Sequence, residues 1–301
     1  MKLVAAVDVG GTNIKSALVD PDLRIIATAN APTPHNDLDG SMTVKVISEL
    51  LSKLASPGEI KAVGLAVPGA LDESHGISRW SGNLGWKNLS IRDLLANEIN
   101  IPVAFGHDVR TGALAELRNG AAKGVSNAIF IAIGTGIAAA LIIDGEIRTS
   151  DGFAGEIGHV DVSGGFNCVC GKKGCLEAAA SSLSITHTYA KASGKTGISS
   201  EEIATLAQNG DVVAQEIWKN AMASIATVCQ MLITVLAPEV IIFGGGLSQS
   251  GNLLIDPITK SLAESLTFQR VPQLVIAQYG AQAGTIGCAM MALDLLPKSG
   301  N

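Results

Sequence analysis

His159, Cys168, Cys170 and Cys175 crowd together in a chain of 301 residues that holds only 5 cysteines. Thiolate and imidazole are ligands that zinc prefers, and the glycines among these four let the backbone wrap round an ion. The spacing C-x-C-x4-C belongs to no common zinc-finger class, and three free thiols are the competing account. A disulfide framework suits a reducing compartment poorly. Three thiolates and one imidazole fill a tetrahedron, so the predicted ion is a structural Zn2+ with no open catalytic position. Such a clip would fix the two segments that carry Glu156, ahead of His159, and Glu177, just after Cys175.

Asp8 to Thr12 read DVGGT. A strand ends there, Gly10 and Gly11 allow close backbone approach, and Thr12 adds a hydroxyl beside several N–H groups. That is the chemistry of a phosphate-holding turn. Asp8 is placed to hold Mg2+, directly or through water. A hairpin turn that needs glycine only for its dihedrals is the alternative. The IGTG segment, with Thr135 and Gly136, carries the same signal, and FGGG, with Gly244 and Gly245, leaves room for a flat nucleoside or for tight strand–helix packing. Asp108 follows the strand-like IPVAFG and His107. It is either the N-cap of the next helix or a carboxylate that takes a proton from a sugar hydroxyl as that oxygen attacks phosphorus.

These residues need a scaffold, and the sequence outlines one. Hydrophobic residues make up 47% and charged residues 16%, with 34 glycines, a mix suited to an α/β core with tight turns. The N-terminal KLVAAVDVGG and KSALVD read as an antiparallel pair. Ser41 to Ser56 reads as a helix buried along Ile47, Leu50, Leu51 and Leu54. KAVGLAVPG reads as a buried strand. Ser90, with Asp93 three residues on, reads as a capping box ahead of an Ile91, Leu94, Leu95 stripe. Asp211 to Ala237 reads as a long buried helix stopped by Pro238, and Gly280 to Leu296 as a closing helix. A shift of 124 lays Gly10-Gly11-Thr12 on Gly134-Thr135-Gly136, and Ala17 to Asp20 on Leu141 to Asp144, which points to a duplicated domain. Asp8 falls on Ala132, so only the first copy keeps its carboxylate.

The net charge of −6 and the lack of a basic cluster speak against nucleic acid as a partner. The N-terminus reads as a strand and not a signal peptide, and no apolar stretch reaches membrane length without interruption. A cytoplasmic protein without a membrane partner is expected.

Taken together, DVGGTNIKSALVD, GLAVPG, GNLGW, GHDVRTGALAE, GTGI, AGEIGH, CVCGKKGCLE and IIFGGG resemble, in order, the motifs of the ROK family of bacterial sugar kinases and related repressors. The resemblance covers nearly the whole chain, and its most specific part is the stretch from AGEIGH to the cysteines, the zinc element of that family. It implies an α/β fold of two actin-like (ribonuclease-H-like) domains around a cleft, usually as a homodimer. The expected domains are 1–108 with a C-terminal helix at about 284–301, and 109–283 carrying the zinc element.

The resemblance also implies roles. Asp108 would be the catalytic base. Asn83, Glu156, His159 and Glu177 would hold sugar hydroxyls, and Gly69 would approach the sugar through its backbone. Gly10, Gly11, Thr12, Thr135 and Gly136 would hold ATP phosphates, with Gly244 and Gly245 near the adenosine. Trp86 reads as core or wall. The family usually has Asn, part of the sugar site, where this chain has His107, so His107 is expected at the sugar with altered hydroxyl recognition, which leaves sugar identity open more than reaction type. The first strand begins at Lys2 or Leu3, with no room ahead of it for the repressors' DNA-binding segment. Polyphosphate-using relatives typically lack the cysteines, which favours ATP as donor. The expected activity is Mg2+- and ATP-dependent phosphorylation of the 6-hydroxyl of glucose. Mannose, fructose or N-acetylmannosamine are the alternatives within the class, and a non-catalytic sugar-sensing protein is the alternative outside it.

Overall fold

The structure, a computed structural model, describes residues 2–164 and 166–297. In chain order the elements are β1 Leu3–Val9, β2 Asn13–Val19, β3 Ile25–Pro32, α1 Ser41–Leu54, β4 Ile60–Val67, β5 Ala70–Asp72, β6 Ile77–Ser81, β7 Trp86–Leu89, α2 Ile91–Ile99, β8 Val103–His107, α3 Asp108–Asn119, β9 Ala128–Ile133, β10 Ile137–Ile143, β11 Glu146–Arg148, α4 Leu176–Ala180, α5 Ser182–Ser193, α6 Ser200–Gln208, α7 Val212–Leu236, β12 Val240–Gly244, α8 Asn252–Ser265, β13 Gln273–Ile276 and α9 Ala283–Asp294. They form two compact units: Met1–Ala115 with Thr149–Phe153 and Gln282–Asn301, and Glu116–Arg148 with Ala154–Ala281. The closing helix expected at about 284–301 ends at Asp294, and residues 298–301 of that expectation lie outside the described residues.

The first unit holds a sheet of order β3-β2-β1-β4-β8, the second a sheet of order β11-β10-β9-β12-β13. In both, the leading hairpin is antiparallel and the last two pairings are parallel. Two sheets of one topology in one chain are what the 124-residue echo predicts. The register adds a correction. Val9 pairs with Ile14, but its counterpart Ile133 pairs with Ile137, so the second turn is one residue shorter. Ala17, opposite Ala6, therefore corresponds to Ala140, opposite Phe130, and not to Leu141.

In the first unit α1 buries Ile47, Leu50, Leu51 and Leu54 on one side, as the periodicity requires. Its first N–H groups are satisfied from outside the helix: the Asp37 carboxylate accepts from Met42 at 3.0 Å and Thr43 at 2.7 Å. The capping box expected at Ser90 does not form. Ser90 makes no side-chain cap bond, and Asp93 instead accepts from the neighbouring Arg92 guanidinium at 2.8 Å. Leu94 is exposed, while Ile91 and Leu95 carry the packing. On the other side of the sheet, α9 lays Cys288, Ala289 and Ala292 against Val4, Ala6, Ala62 and Ala66. The approach is so close that a Cβ on Gly64 would fall 1.9 Å from the Cys288 carbonyl, and one on Gly287 1.8 Å from that of Thr111. Glycine at these two positions seats α9 directly on the sheet and on the first turn of α3.

The second unit is built round α7, 25 residues long. By length and composition alone α7 is long and apolar enough to cross a membrane, although Gln215, Glu216, Lys219 and Asn220 interrupt its apolar run. It serves as a core helix: Trp218, Met222, Ile225, Cys229 and Ile233 are buried, and Trp218 donates to the Leu253 carbonyl at 3.0 Å. Asp211 caps its start through the Ala214 N–H at 2.9 Å, and Ala237 ends it in the left-handed region ahead of Pro238.

Candidate active site

In the first unit the parallel strands β1, β4 and β8 end side by side. Asp8 lies near the end of β1, the turn with Gly10, Gly11 and Thr12 follows, and Asp108 opens α3 straight after β8. Asn83, from the loop between β6 and β7, stands against the glycine turn; a Cβ on Gly11 would come 3.1 Å from the Asn83 Cβ. Gly69, at φ +108°, passes the end of β6 where a Cβ would lie 2.3 Å from the Trp80 carbonyl oxygen, so its glycine has a packing reason. Trp86 is buried and donates to the Asp37 carbonyl at 2.8 Å, which makes it core.

The electrostatics single out the two aspartates. Burial, reinforced by the charge of Asp108 and opposed by Lys15, pushes the Asp8 carboxyl up to about 7. Burial also raises Asp108, against the pull of the Val109 N–H and the Arg110 charge. The Asp108 carboxyl thus holds a proton more tightly than an ordinary aspartate, a property that suits a general base. His107 is only 4% exposed. Burial, then the Arg110 charge, pulls its ring down to about 3, against the charge of Glu73. A single carboxylate oxygen, Glu73 Oε1, accepts from Arg110 Nε at 2.7 Å and from the His107 N–H at 3.2 Å. Thr111 Oγ1 lies 2.7 Å from the carbonyls of both His107 and Asp108. The segment from His107 to Thr111 is therefore braced on several sides. Sequence reasoning missed Glu73 and Arg110, because residues 37 positions apart carry no local sign of meeting.

In the second unit Thr135 and Gly136 form the turn between β9 and β10. Glu177, in the first turn of α4, accepts from the Ile137 N–H at 3.0 Å, and a Cβ on Gly136 would fall 2.4 Å from its carboxylate. Glu156 is exposed and precedes the short helical turn Ile157–His159. This segment lies against β10: a Cβ on Gly155 would collide with the Ala139 carbonyl at 1.8 Å, one on Gly158 with that of Ile137 at 2.2 Å. Gly244 and Gly245 have a packing reason too, since a Cβ there would meet the Phe130 ring at 2.5 Å and the Ile133 carbonyl at 2.4 Å.

His159 and the three cysteines come together in this unit. Their ligand atoms all lie within 4.8 Å of one another. Cys168 Sγ is 3.7 Å from His159 Nδ1, and Cys170 Sγ 3.6 Å from Cys175 Sγ. A tetrahedral ion with Zn–S bonds of about 2.3 Å needs thiolates about 3.8 Å apart, and the Cys170–Cys175 separation is close to that. The backbone makes this possible by a tight turn in which Gly171, at φ +91°, donates to the Cys168 carbonyl at 3.0 Å.

Known proteins resemble this chain over nearly its whole length. The ROK family model matches residues 4–295. A glucokinase of Halalkalibacterium halodurans is 32% identical, over 93% of this chain and 92% of that protein. A glucokinase of Streptomyces coelicolor is 29% identical, over 98% of each chain. Among solved structures, a ROK family glucokinase from Streptomyces griseus in complex with glucose and AMPPNP superposes with a TM-score of 0.86 at 29% identity, covering 97% of this chain and 99% of that one.

Proposed function

On the premise that the chain belongs to the ROK family, we propose that it is an ATP-dependent sugar kinase acting on the 6-hydroxyl of glucose. The single observation that carries this reading is the similarity, over nearly the full length of both chains, to a glucokinase solved with glucose and AMPPNP. Asp108 accepts the hydroxyl proton as the sugar oxygen bonds to the γ-phosphorus and the bond to the β-phosphate oxygen breaks, releasing ADP. Asn83, Glu156, His159 and Glu177 hold sugar hydroxyls. Gly69 presents its backbone to the sugar. The turns at Gly10, Gly11 and Thr12 and at Thr135 and Gly136 hold phosphate oxygens, and Gly244 and Gly245 border the adenosine. Mg2+, when bound, neutralises charge on the β- and γ-phosphates, with Asp8 to hold it directly or through water.

His159, Cys168, Cys170 and Cys175 hold a structural Zn2+ in this proposal, supported by the fit of their ligand atoms. A cytoplasmic homodimer completes it, on the strength of the family resemblance; light scattering at working concentration tests the dimer, and a monomer there removes it.

The function is tested by coupled assay of ADP release with ATP and a panel of glucose, mannose, fructose and N-acetylmannosamine. Glucose is expected to give the highest kcat/KM. A higher value for N-acetylmannosamine replaces the acceptor, and no ADP release with any sugar removes the kinase reading.

A further inference from the structure

Thr33 stands between two prolines, just past the end of β3, and is buried. Pro32 has no N–H to give the ladder, and Pro34 favours an extended backbone in the residue before it. Both donors of Thr33 go to the turn between β1 and β2. Its hydroxyl donates to the Gly10 carbonyl at 2.7 Å, and its N–H to the Thr12 carbonyl at 2.9 Å. A trans peptide points its C=O and its N–H in opposite directions. The Gly10 carbonyl shares a plane with the Gly11 N–H, so the bond to Thr33 turns that N–H away from β3. Among the described residues the N–H groups of Gly11 and Thr12 have no acceptor. With glycine on both sides of this peptide, no Cβ restrains its rotation. Thr33 supplies the restraint that the turn itself lacks. The second unit repeats the arrangement with another donor: the Gly134 carbonyl accepts from the Ser182 N–H at 2.9 Å. Only in the first unit does a side chain do this, so only there can a substitution remove it cleanly.

We infer that Thr33 is a positioning residue for ATP: its hydroxyl locks the Gly10–Gly11 peptide and so aims the Gly11 N–H at a phosphate oxygen. The inference rests on the reading of this turn as a phosphate holder. Thr33 acts through the turn and touches no phosphate itself. Without the hydroxyl, the Gly10 carbonyl has no donor and is driven to turn towards water, and the Gly11 N–H turns with it. A backbone N–H bonded to an ionised phosphate is roughly twice as strong as a bond between neutral groups. Misdirecting it therefore weakens the hold on ATP and leaves the sugar, which this N–H does not hold, nearly unaffected. A hydroxyl that merely finishes the sheet behaves differently. Its removal lowers stability and leaves nucleotide kinetics alone.

Wild-type protein labelled with 15N tests the phosphate reading first. The Gly11 and Thr12 amide resonances are expected to move on titration with AMPPNP and Mg2+, and to stay nearly still with adenosine. Equal movement with both, or none with AMPPNP, removes the phosphate assignment of this turn and this inference with it. Given the expected response, Thr33→Val removes the hydroxyl but keeps the branched shape and the N–H bond to Thr12. Its ATP KM is expected to rise roughly 5–20-fold while the glucose KM stays within about two-fold. Thr33→Ser restores a hydroxyl and is expected to bring the ATP KM back to within about two-fold of wild type. An unchanged ATP KM in folded Thr33→Val, an equal rise in the glucose KM, or no recovery in Thr33→Ser overturns the inference while the phosphate turn stands. A lowered Tm with normal ATP kinetics marks a purely structural hydroxyl and overturns it too. Where valine prevents folding, Thr33→Ala removes the same group and is read in the same way.

Discussion

Glu177 Oε2 accepts the Ile137 N–H at 3.0 Å, which ties the first turn of α4 to the turn carrying Thr135 and Gly136. The side chain proposed for a sugar hydroxyl is thus also a prop for the turn proposed for phosphate. Two substitutions separate these duties. Glu177→Gln keeps an acceptor for Ile137 but loses the charge, so the glucose KM is expected to rise by about ten-fold or more with the ATP KM nearly unchanged. Glu177→Ala leaves the Ile137 N–H without its partner and should raise both. Equal effects of the two variants on the ATP KM would remove the prop from the account.

Asp8 makes a prediction about pH. Its carboxyl stands at about 7 in the fold, against 3.8 for an ordinary aspartate. Between those values the folded chain keeps a proton that the unfolded chain has released. The contribution of Asp8 to stability is therefore fully present below about pH 4 and declines as pH rises towards about 7. Asp8→Asn has no such proton to lose. Its melting temperature relative to wild type should rise across that window and level off above it, because other titrating groups cancel in the difference. Parallel melts at several pH values check this, and a difference that stays flat would falsify the burial of an uncompensated carboxyl at Asp8.

The duplicated scaffold was legible in the sequence because hairpins leave short-range marks: glycines at the turn and apolar runs on either side. The one-residue slip between the copies was not, since Gly-Gly-Thr and Gly-Thr-Gly look equally turn-like until the pairings Val9–Ile14 and Ile133–Ile137 are seen. Ser90 and Asp93 show the limit of a motif. Their spacing suits a capping box, but the adjacent Arg92 captures the carboxylate. The chemistry-bearing residues were legible by type, as with the four ligand groups that meet within 4.8 Å. Their partners were not. Nothing near Asp108 in sequence announces Glu73, and nothing in the composition reveals that His107 turns its ring to Asp108 inside the protein. Gly244 and Gly245 looked like room for a ligand, yet each already answers to a packing demand from Phe130 or Ile133.

The cysteine cluster yields a third expectation. Protein purified without added zinc should carry about one equivalent of it per chain. Cys175→Ser removes the buried ligand at the start of α4, and its metal content should fall with its stability. A loss of a few kcal/mol would lower Tm by roughly 5–10 °C. The glucose KM should rise in the same variant, because Glu156 and Glu177 flank the ligands. Well-folded, metal-free protein with unchanged Tm and KM would leave the four groups as ordinary thiols and an ordinary histidine.

Asp108 offers the sharpest division between chemistry and structure. It is the first residue of α3, where an aspartate has a sufficient reason to exist as a cap, and its Oδ1 does accept the Val109 N–H at 2.7 Å. Asparagine caps a helix as well as aspartate does, so a purely structural Asp108 predicts almost no change in Asp108→Asn. A base predicts something else. Asparagine keeps the size and an acceptor for Val109, so the fold and the glucose Kd should survive nearly intact. The amide cannot take the hydroxyl proton, and loss of a general base lowers kcat by roughly 10²–10⁴-fold. Burial raises the Asp108 carboxyl, which places its titration above the ordinary aspartate range, so wild-type kcat should fall as pH drops towards that raised value. Any residual rate in Asp108→Asn should lack that acid limb, since the group that produces it is gone. Calorimetric glucose binding alongside steady-state rates from acid to neutral pH checks both parts. Near-normal kcat in the folded variant would exclude Asp108 from proton transfer and make Glu156 the next carboxylate to test.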